Sequence, residues 1–228
     1  GETRTNTVVQ EEDNDWYMLI NEIGPQVPPG AIEEMIEKAG KYANPGDIWV
    51  VAGSLPPGVP EDFYAILIRM LKAKGVNVVF DATAAPFSLG IKEIPWLIYP
   101  EVTEAERLVG YEIGTFDMAK RAAMHFLQQG IEFVALVLET GGVLLSSKRQ
   151  MVMASPLRVP VRRVTGARGA LCAGLVDGFV SRLDLVEITR RAAAFRAAYI
   201  SNKDYSTIPP EEFQNLIHRV EINSIPML

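Results

Sequence analysis

Several residue types that carry common chemistries are scarce in this sequence. The single cysteine, Cys172, cannot form an internal disulfide, which suits a reducing compartment. The two histidines, His125 and His218, stand on predicted helices and are interpreted as surface residues rather than metal ligands. No apolar run reaches the roughly 18 residues that a membrane-spanning helix needs. With no export signal in view, the cytoplasm is the expected location.

Basic residues are also fewer than acidic residues in this chain. The chain has 22 Lys and Arg against 28 Asp and Glu, a net charge of −6. Nucleic acids and anionic membranes both favour a basic protein surface, so neither is an expected partner. An anionic small molecule stays possible, because a local group of arginines binds phosphate whatever the overall charge.

The apolar residues that are present follow an alternating pattern of strands and helices. An apolar share of 48% in 228 residues is typical of one globular domain. The predicted strands are 48–52, 76–80, 96–99, 133–138, 143–146 and 151–154, and the predicted helices are 31–42, 60–74, 103–109, 115–129, 166–182, 185–200 and 210–218. Repeated strand–helix units predict an α/β fold with a mostly parallel sheet, whose ligands bind at the carboxyl ends of the strands.

A short hairpin is predicted before this domain. Residues 7–9 and 16–20 have strand-like composition, with an acidic turn between them. An isolated hairpin of this size is not stable, so it must pack on the main body or on a partner chain. Trp16, Tyr17, Met18 and Ile20 give it an apolar stripe. The sequence therefore divides into residues 1–24 and an α/β domain at 25–228.

Five motifs occur in a fixed order along the chain. They are Gly1-Glu2-Thr3-Arg4-Thr5-Asn6, Gly53-Ser54-Leu55-Pro56-Pro57-Gly58, Pro100 with Glu104-Ala105-Glu106, Thr140-Gly141-Gly142, and Gly166-Ala167 with Ala170 and Ala173-Gly174. The ordered set resembles the ribokinase-like (PfkB) carbohydrate kinases, above all their 1-phosphofructokinase and tagatose-6-phosphate kinase branch. The resemblance extends to about Val220. The family's N-terminal third, with its Gly-Gly substrate motif, has no counterpart in it.

The resemblance implies a three-layer ribokinase-like fold in which the hairpin is part of a β lid. It also implies ATP- and Mg²⁺-dependent phosphoryl transfer to a sugar phosphate, with an Asp at a helix N-terminus as the base. Members of the family often dimerise through the lid, so a homo-oligomer, or contact with another chain through the hairpin, is expected. The residues carried over are Arg4, Asn6, Ser54 and Asp81 for substrate, Glu139, Thr140, Gly141, Gly142 and Phe195 for nucleotide, and Glu101 and Glu104 for metal.

The segment that should hold the catalytic base departs from the family pattern. The family reads approximately Gly-Ala-Gly-Asp, whereas this chain reads Gly166-Ala167-Arg168-Gly169. The anion hole is therefore assigned to these four residues, with Gly169 at the position of the base. Glycine has no group that accepts a proton, and Arg168 cannot be a base because a guanidinium stays protonated in proteins.

Three further departures fall in the same expected site. Glu101 replaces the family's Asn, and its charge would repel nucleotide phosphates. Glu139 replaces a small residue beside the expected triphosphate path. Phe195 stands where a small residue of the adenine pocket is expected, so its ring could fill that pocket. These changes argue against tight binding of ATP and Mg²⁺.

Three hypotheses for function follow. The first is a pseudokinase, inactive or very weak, that serves as a binding or assembly subunit. The second is an active ATP-dependent kinase of a sugar phosphate such as fructose 1-phosphate, with Glu101 or Glu139 as a displaced base. The third is a sensor that binds a sugar phosphate or a nucleotide without turnover.

Overall fold

The computed structural model describes residues 2–10, 17–163, 165–202 and 209–226. Two compact units divide the chain, residues 1–95 and 96–228. The elements are β1 (Asn6–Gln10), β2 (Tyr17–Asn21), α1 (Pro29–Tyr42), β3 (Ile48–Ala52), α2 (Phe63–Ala73), β4 (Asn77–Asp81), α3 (Ala84–Gly90), β5 (Leu97–Ile98), α4 (Val102–Val109), α5 (Phe116–Gln128), β6 (Phe133–Val137), β7 (Val143–Ser146), β8 (Met151–Ala154), α6 (Ala167–Val180), α7 (Leu185–Ser201), α8 (Pro210–Arg219) and β9 (Ile222–Ile225). No helix among these is both long and apolar enough to cross a bilayer.

The predicted hairpin forms at the start of the first unit. β1 and β2 pair antiparallel, with Asn6 opposite Asn21 and Gln10 opposite Tyr17. All ten of their residues are exposed. Trp16, which the sequence placed in the apolar stripe, lies outside the described residues. The boundary after residue 24 stays a prediction.

The core of the first unit is a parallel strand pair covered by aromatic residues. β3 and β4 run parallel, with Val51 opposite Phe80. The rings of Tyr64 and Phe87 lie 5.6 and 5.5 Å from the Phe80 ring. Helix α3 was not predicted, because its seven residues include Pro86 and show no clear apolar period.

The second unit has a mixed sheet in the order β5-β6-β7-β8-β9. β5 and β6 are parallel, and the remaining neighbours are antiparallel. The predicted hairpin of β7 and β8 is confirmed with the same bounds. Strand β9 was missed; it pairs with β8 beside an apolar cluster from α7, α8 and Val220.

Two glycines allow helices α6 and α7 to approach closely. A Cβ atom added to Gly174 would lie 2.6 Å from Ala192 Cα, and one added to Gly178 would lie 2.9 Å from Ile188 Cγ1. Backbone of one helix therefore packs directly on the other. This contact fixes the direction of α6, whose N-terminus is the predicted anion hole.

Candidate active site

The N-terminus of α6 is built around Gly166. This residue is the N-cap, with φ +87°, a left-handed conformation that favours glycine. Its missing side chain also leaves room for Tyr199 of α7, whose Cζ lies 2.6 Å from the position of a Cβ. Ile200 O accepts hydrogen bonds from the N–H groups of Arg162 and Arg163. The end of α7 thus holds the segment that leads into α6. Val164, within that segment, lies outside the described residues.

The predicted base position is open. Gly169 is exposed, and a Cβ atom built on it would meet no atom within 4 Å. The first turn of α6 contains no acidic residue. The N–H groups and the dipole of a helix's first turn favour an anion. The helix end therefore keeps anion-binding geometry but has no side chain that could accept a proton there.

Two of the departures noted in the sequence meet at this helix end. Arg168 Nε lies 3.6 Å from Glu101 Oε1. Glu101 is the N-cap of α4 and forms a parallel bridge with Val137 at the end of β6. The Arg168 guanidinium in the predicted anion hole therefore forms an ion pair with Glu101, the carboxylate at the position where the family has Asn.

The second predicted metal ligand is also held by an arginine. Glu104 is 6% exposed and accepts a hydrogen bond of 2.7 Å from Arg107 Nη1. Both carboxylates at the start of α4 are therefore paired with cations. Among the described residues there is no group of three or more His, Cys, Asp or Glu side chains suited to a metal ion. Glu101 and Glu104 both interact with arginines, and their assignment to metal stays a prediction.

The predicted nucleotide loop is the tight turn between β6 and β7. Gly141 N donates to Leu138 O at 2.8 Å, and Leu138 N donates to Gly142 O at 2.9 Å. Gly141 has φ +86°, and a Cβ on Gly142 would lie 2.6 Å from Met153 Cε. The conformation of Gly141 favours glycine, and Gly142 lies close to backbone, because its added Cβ would be 3.0 Å from Ala154 O. Glu139 and Thr140 are exposed at the tip.

Arg196 is the side chain that contacts this loop, and the sequence did not assign it a role. Its Nη1 donates to Gly141 O at 3.2 Å. Burial lowers the pKa of Arg196, while the charge of Glu101 opposes that shift. Phe195 instead packs edge-on against Phe213 of α8, with ring centroids 4.7 Å apart. The sequence analysis singled out Phe195, and the choice between Phe195 and Arg196 needed the direction of α7.

The predicted substrate residues lie in the first unit. Arg4 Nη2 donates to Ser54 Oγ at 3.1 Å, so the structure brings these two together. Asp81 is 7% exposed at the end of β4, and its carbonyl accepts from Gly53 N at 3.2 Å. Asn6 is exposed at the start of β1. Their assignment to substrate stays a prediction.

A cavity of about 420 Å³ lies along the Ser54 loop. It is lined by Gly53 to Val59, by Thr83, Ala84 and Pro86, and by Ile23 and Glu61. Tyr64 stabilises the start of this loop, because its hydroxyl donates to the carbonyls of Ala52 and Gly53. Burial, and secondarily the charge of Asp81, raise the pKa of Tyr64, so this hydroxyl stays a donor at neutral pH.

Comparison with known proteins identifies the class to which this fold and site belong. Residues 1–212 match the pfkB family of carbohydrate kinases, and the chain belongs to that family. A 1-phosphofructokinase of Haemophilus influenzae is 29% identical over 226 residues, which are 99% of this chain and 72% of that protein.

Solved structures give the same fold. Phosphofructokinase-2 of Escherichia coli in complex with potassium superposes with a TM-score of 0.86 at 22% identity, over 95% of this chain and 70% of that chain. The tetrameric inhibited form of that protein gives a TM-score of 0.83 at 21% identity over the same shares. The predicted ribokinase-like α/β fold is confirmed.

Proposed function

We propose that this chain is a pfkB-family protein without effective phosphoryl transfer, and that it acts as a binding or assembly subunit. The observation that carries the proposal is the N-terminus of α6. Gly169 offers no base, and Arg168, in the predicted anion hole, is paired with Glu101.

The size of the expected defect follows from the missing base. A positioned general base typically contributes about 10²- to 10⁴-fold in rate. Arg168 cannot take that role, because a guanidinium stays protonated at neutral pH. The ion pair is a second obstacle to catalysis. An incoming phosphate must compete with Glu101 for the Arg168 guanidinium, and Mg²⁺ must compete with Arg168 for the Glu101 carboxylate.

Two measurements test the proposal together. Calorimetric titration of Mg²⁺–ATP, with and without fructose 1-phosphate, reports binding, and a coupled ADP-release assay reports turnover. We expect turnover well below about 1 s⁻¹, the low end of ordinary kcat values. The Haemophilus influenzae relative serves as the positive control in the same assay.

The outcomes separate the three hypotheses. Turnover above that rate would contradict both the inactive subunit and the sensor. Binding of nucleotide or sugar phosphate without turnover favours the sensor, and no binding of either leaves the assembly subunit.

One residue favours the active alternative. Glu139 is an exposed carboxylate at the tip of the nucleotide loop, whereas Glu101 is engaged with Arg168. If turnover is found, Glu139→Gln should remove most of it, and Glu139→Asp should retain part.

The hairpin is the proposed contact with a second copy. Its exposed apolar side chains include Val9, Met18, Leu19 and Ile20, of which Ile20 is 53% exposed. The related Escherichia coli protein has a tetrameric form. We expect a dimer in sedimentation velocity, and Ile20→Lys should shift it toward monomer. Val180→Lys on α6, where Val180 is 66% exposed, is the matched control, and a wild-type monomer would contradict this assignment.

A further inference from the structure

A cavity of about 660 Å³ lies in the second unit, at the end of the sheet opposite to the predicted nucleotide loop. It borders Phe133, the first residue of β6, whereas the nucleotide loop follows the last residue of that strand. Phe179, close to the C-terminus of α6, also lines it. A helix of 14 residues is about 20 Å long, so this cavity is separate from the α6 N-terminus.

Aromatic rings form one wall of the cavity. The ring centroids of Phe133 and Phe179 lie 4.7 Å apart, and the Trp96 ring lies 5.2 Å from Phe133 and 4.6 Å from Phe179. All three residues are half-buried. Leu183 and Ile188 supply aliphatic surface to the same cavity. Such a wall favours a flat aromatic molecule, because aromatic rings pack on one another edge-on or offset.

Two adjacent cations are presented by the turn between β7 and β8. Lys148 and Arg149 line the cavity, and both are exposed. Ser147 fixes the turn, because its Oγ accepts hydrogen bonds from Arg149 N at 3.2 Å and from Gln150 N at 3.1 Å. Within the part of the chain that the structure describes, neither cation forms an ion pair. Glu132 is the one acid among the described lining residues, so the cavity keeps an excess of positive charge.

We propose that this cavity is a second binding site, which takes a small organic anion with an aromatic body. The aromatic part packs against Phe133 and Phe179, and the anionic group, a carboxylate, sulfonate or phosphate, lies against Lys148 and Arg149. A volume of about 660 Å³, lined by apolar and aromatic side chains with a few charged groups, is typical of small-molecule sites. The site does not involve the α6 N-terminus, so the proposal goes beyond the loss of phosphoryl transfer.

The cavity adjoins the packing of α6 on α7. Ile188, which lines it, is the residue whose Cγ1 would lie 2.9 Å from a Cβ added to Gly178. A bound molecule therefore contacts both helices, α6 through Phe179 and α7 through Ile188. Since a ligand stabilises the folded form to which it binds, we expect the Tm to rise with ligand concentration.

Fluorescence tests this site without any kinase assay. The probes are anilinonaphthalene sulfonate, an aromatic anion, and phenylnaphthylamine, which has the same rings without the sulfonate. The protein is the full chain with Trp16→Phe and Trp49→Phe, which leaves Trp96 as the single tryptophan. We expect both probes to bind beside Trp96, so that energy transfer from Trp96 to each probe rises with its concentration and saturates.

Charge reversal shows whether the anion is recognised. Arg149→Glu should weaken binding of the sulfonate about tenfold or more, because an attraction becomes a repulsion, and should leave phenylnaphthylamine unaffected. Lys41→Glu, at an exposed position of α1, makes the same change in net charge and should affect neither probe. The proposal is overturned if either probe shows no energy transfer from Trp96, if Lys41→Glu weakens the sulfonate equally, or if Arg149→Glu weakens both probes equally or neither. These measurements involve no ATP, so this proposal and the proposed inactivity of the α6 site fail separately.

Discussion

Restoring an acid at position 169 is expected to produce the largest change in activity. The variant Arg168→Gly with Gly169→Asp should turn over ATP in the presence of fructose 1-phosphate about 10²- to 10⁴-fold faster than the unmodified chain. Position 169 has space, since a Cβ there meets no atom within 4 Å. Coupled ADP release measures the gain.

Both substitutions are needed for a physical reason. An Asp at 169 would stand next to the Arg168 guanidinium, which would lower the pKa of the new carboxyl and make it a poorer proton acceptor. Removal of Arg168 also frees the helix N-terminus from the ion pair with Glu101.

The control for this gain is Arg168→Gly with Gly169→Asn, which has the same shape without the acid. We expect no gain from the Asn variant. An equal gain with Asn would show that loss of the base is not the main defect.

The ion pair at α6 changes how the departures from the family pattern are interpreted. Random loss of catalytic residues gives no reason for a new Arg and a new Glu to meet, yet Arg168 and Glu101 lie 3.6 Å apart. A second arginine, Arg196, donates a hydrogen bond to Gly141 O in the predicted nucleotide loop and interacts electrostatically with Glu101. Arg168 and Glu101 therefore interact with each other, and this contact supports the proposed role other than phosphoryl transfer.

The sequence predicted most strands and helices because their apolar periods are clear. It missed α3, which is short and contains Pro86, and β9, whose four residues follow α8 directly. Both depend on packing: α3 ends at Gly90 against the Phe80 ring, and β9 needs the free side of β8. Composition alone does not reveal such contacts.

The site was predicted less completely than the fold. The motifs located Gly169, Arg168 and Glu101 as departures, but their spacing in sequence gives no sign that the last two are neighbours. Their contact depends on where α4 begins after β5 and on the direction of α6. For the same reason Arg196 escaped notice, because only the packing of α7 shows that it, rather than Phe195, contacts Gly141.

The crossing of α6 and α7 should be the most sensitive point for stability. A Cβ on Gly174 would lie 2.6 Å from Ala192 Cα and 3.0 Å from Arg191 O. These are backbone atoms that cannot rotate away, so Gly174→Ala must separate the two helices. Overpacking of this kind costs about 1–3 kcal/mol, and the better helix propensity of Ala offsets at most about 1 kcal/mol.

We therefore expect Gly174→Ala to lower the free energy of unfolding by about 2 kcal/mol, with a fall in Tm of roughly 4–8 °C for a chain of this size. Gly169→Ala is the matched control on the same helix, since its Cβ meets open space. It should stabilise by about 0.4–1 kcal/mol through the lower entropy of the unfolded chain. Urea unfolding followed by circular dichroism measures both. Equal effects would contradict the close contact of the two helices, and with it the basis for placing Arg196 and Tyr199 beside the α6 site.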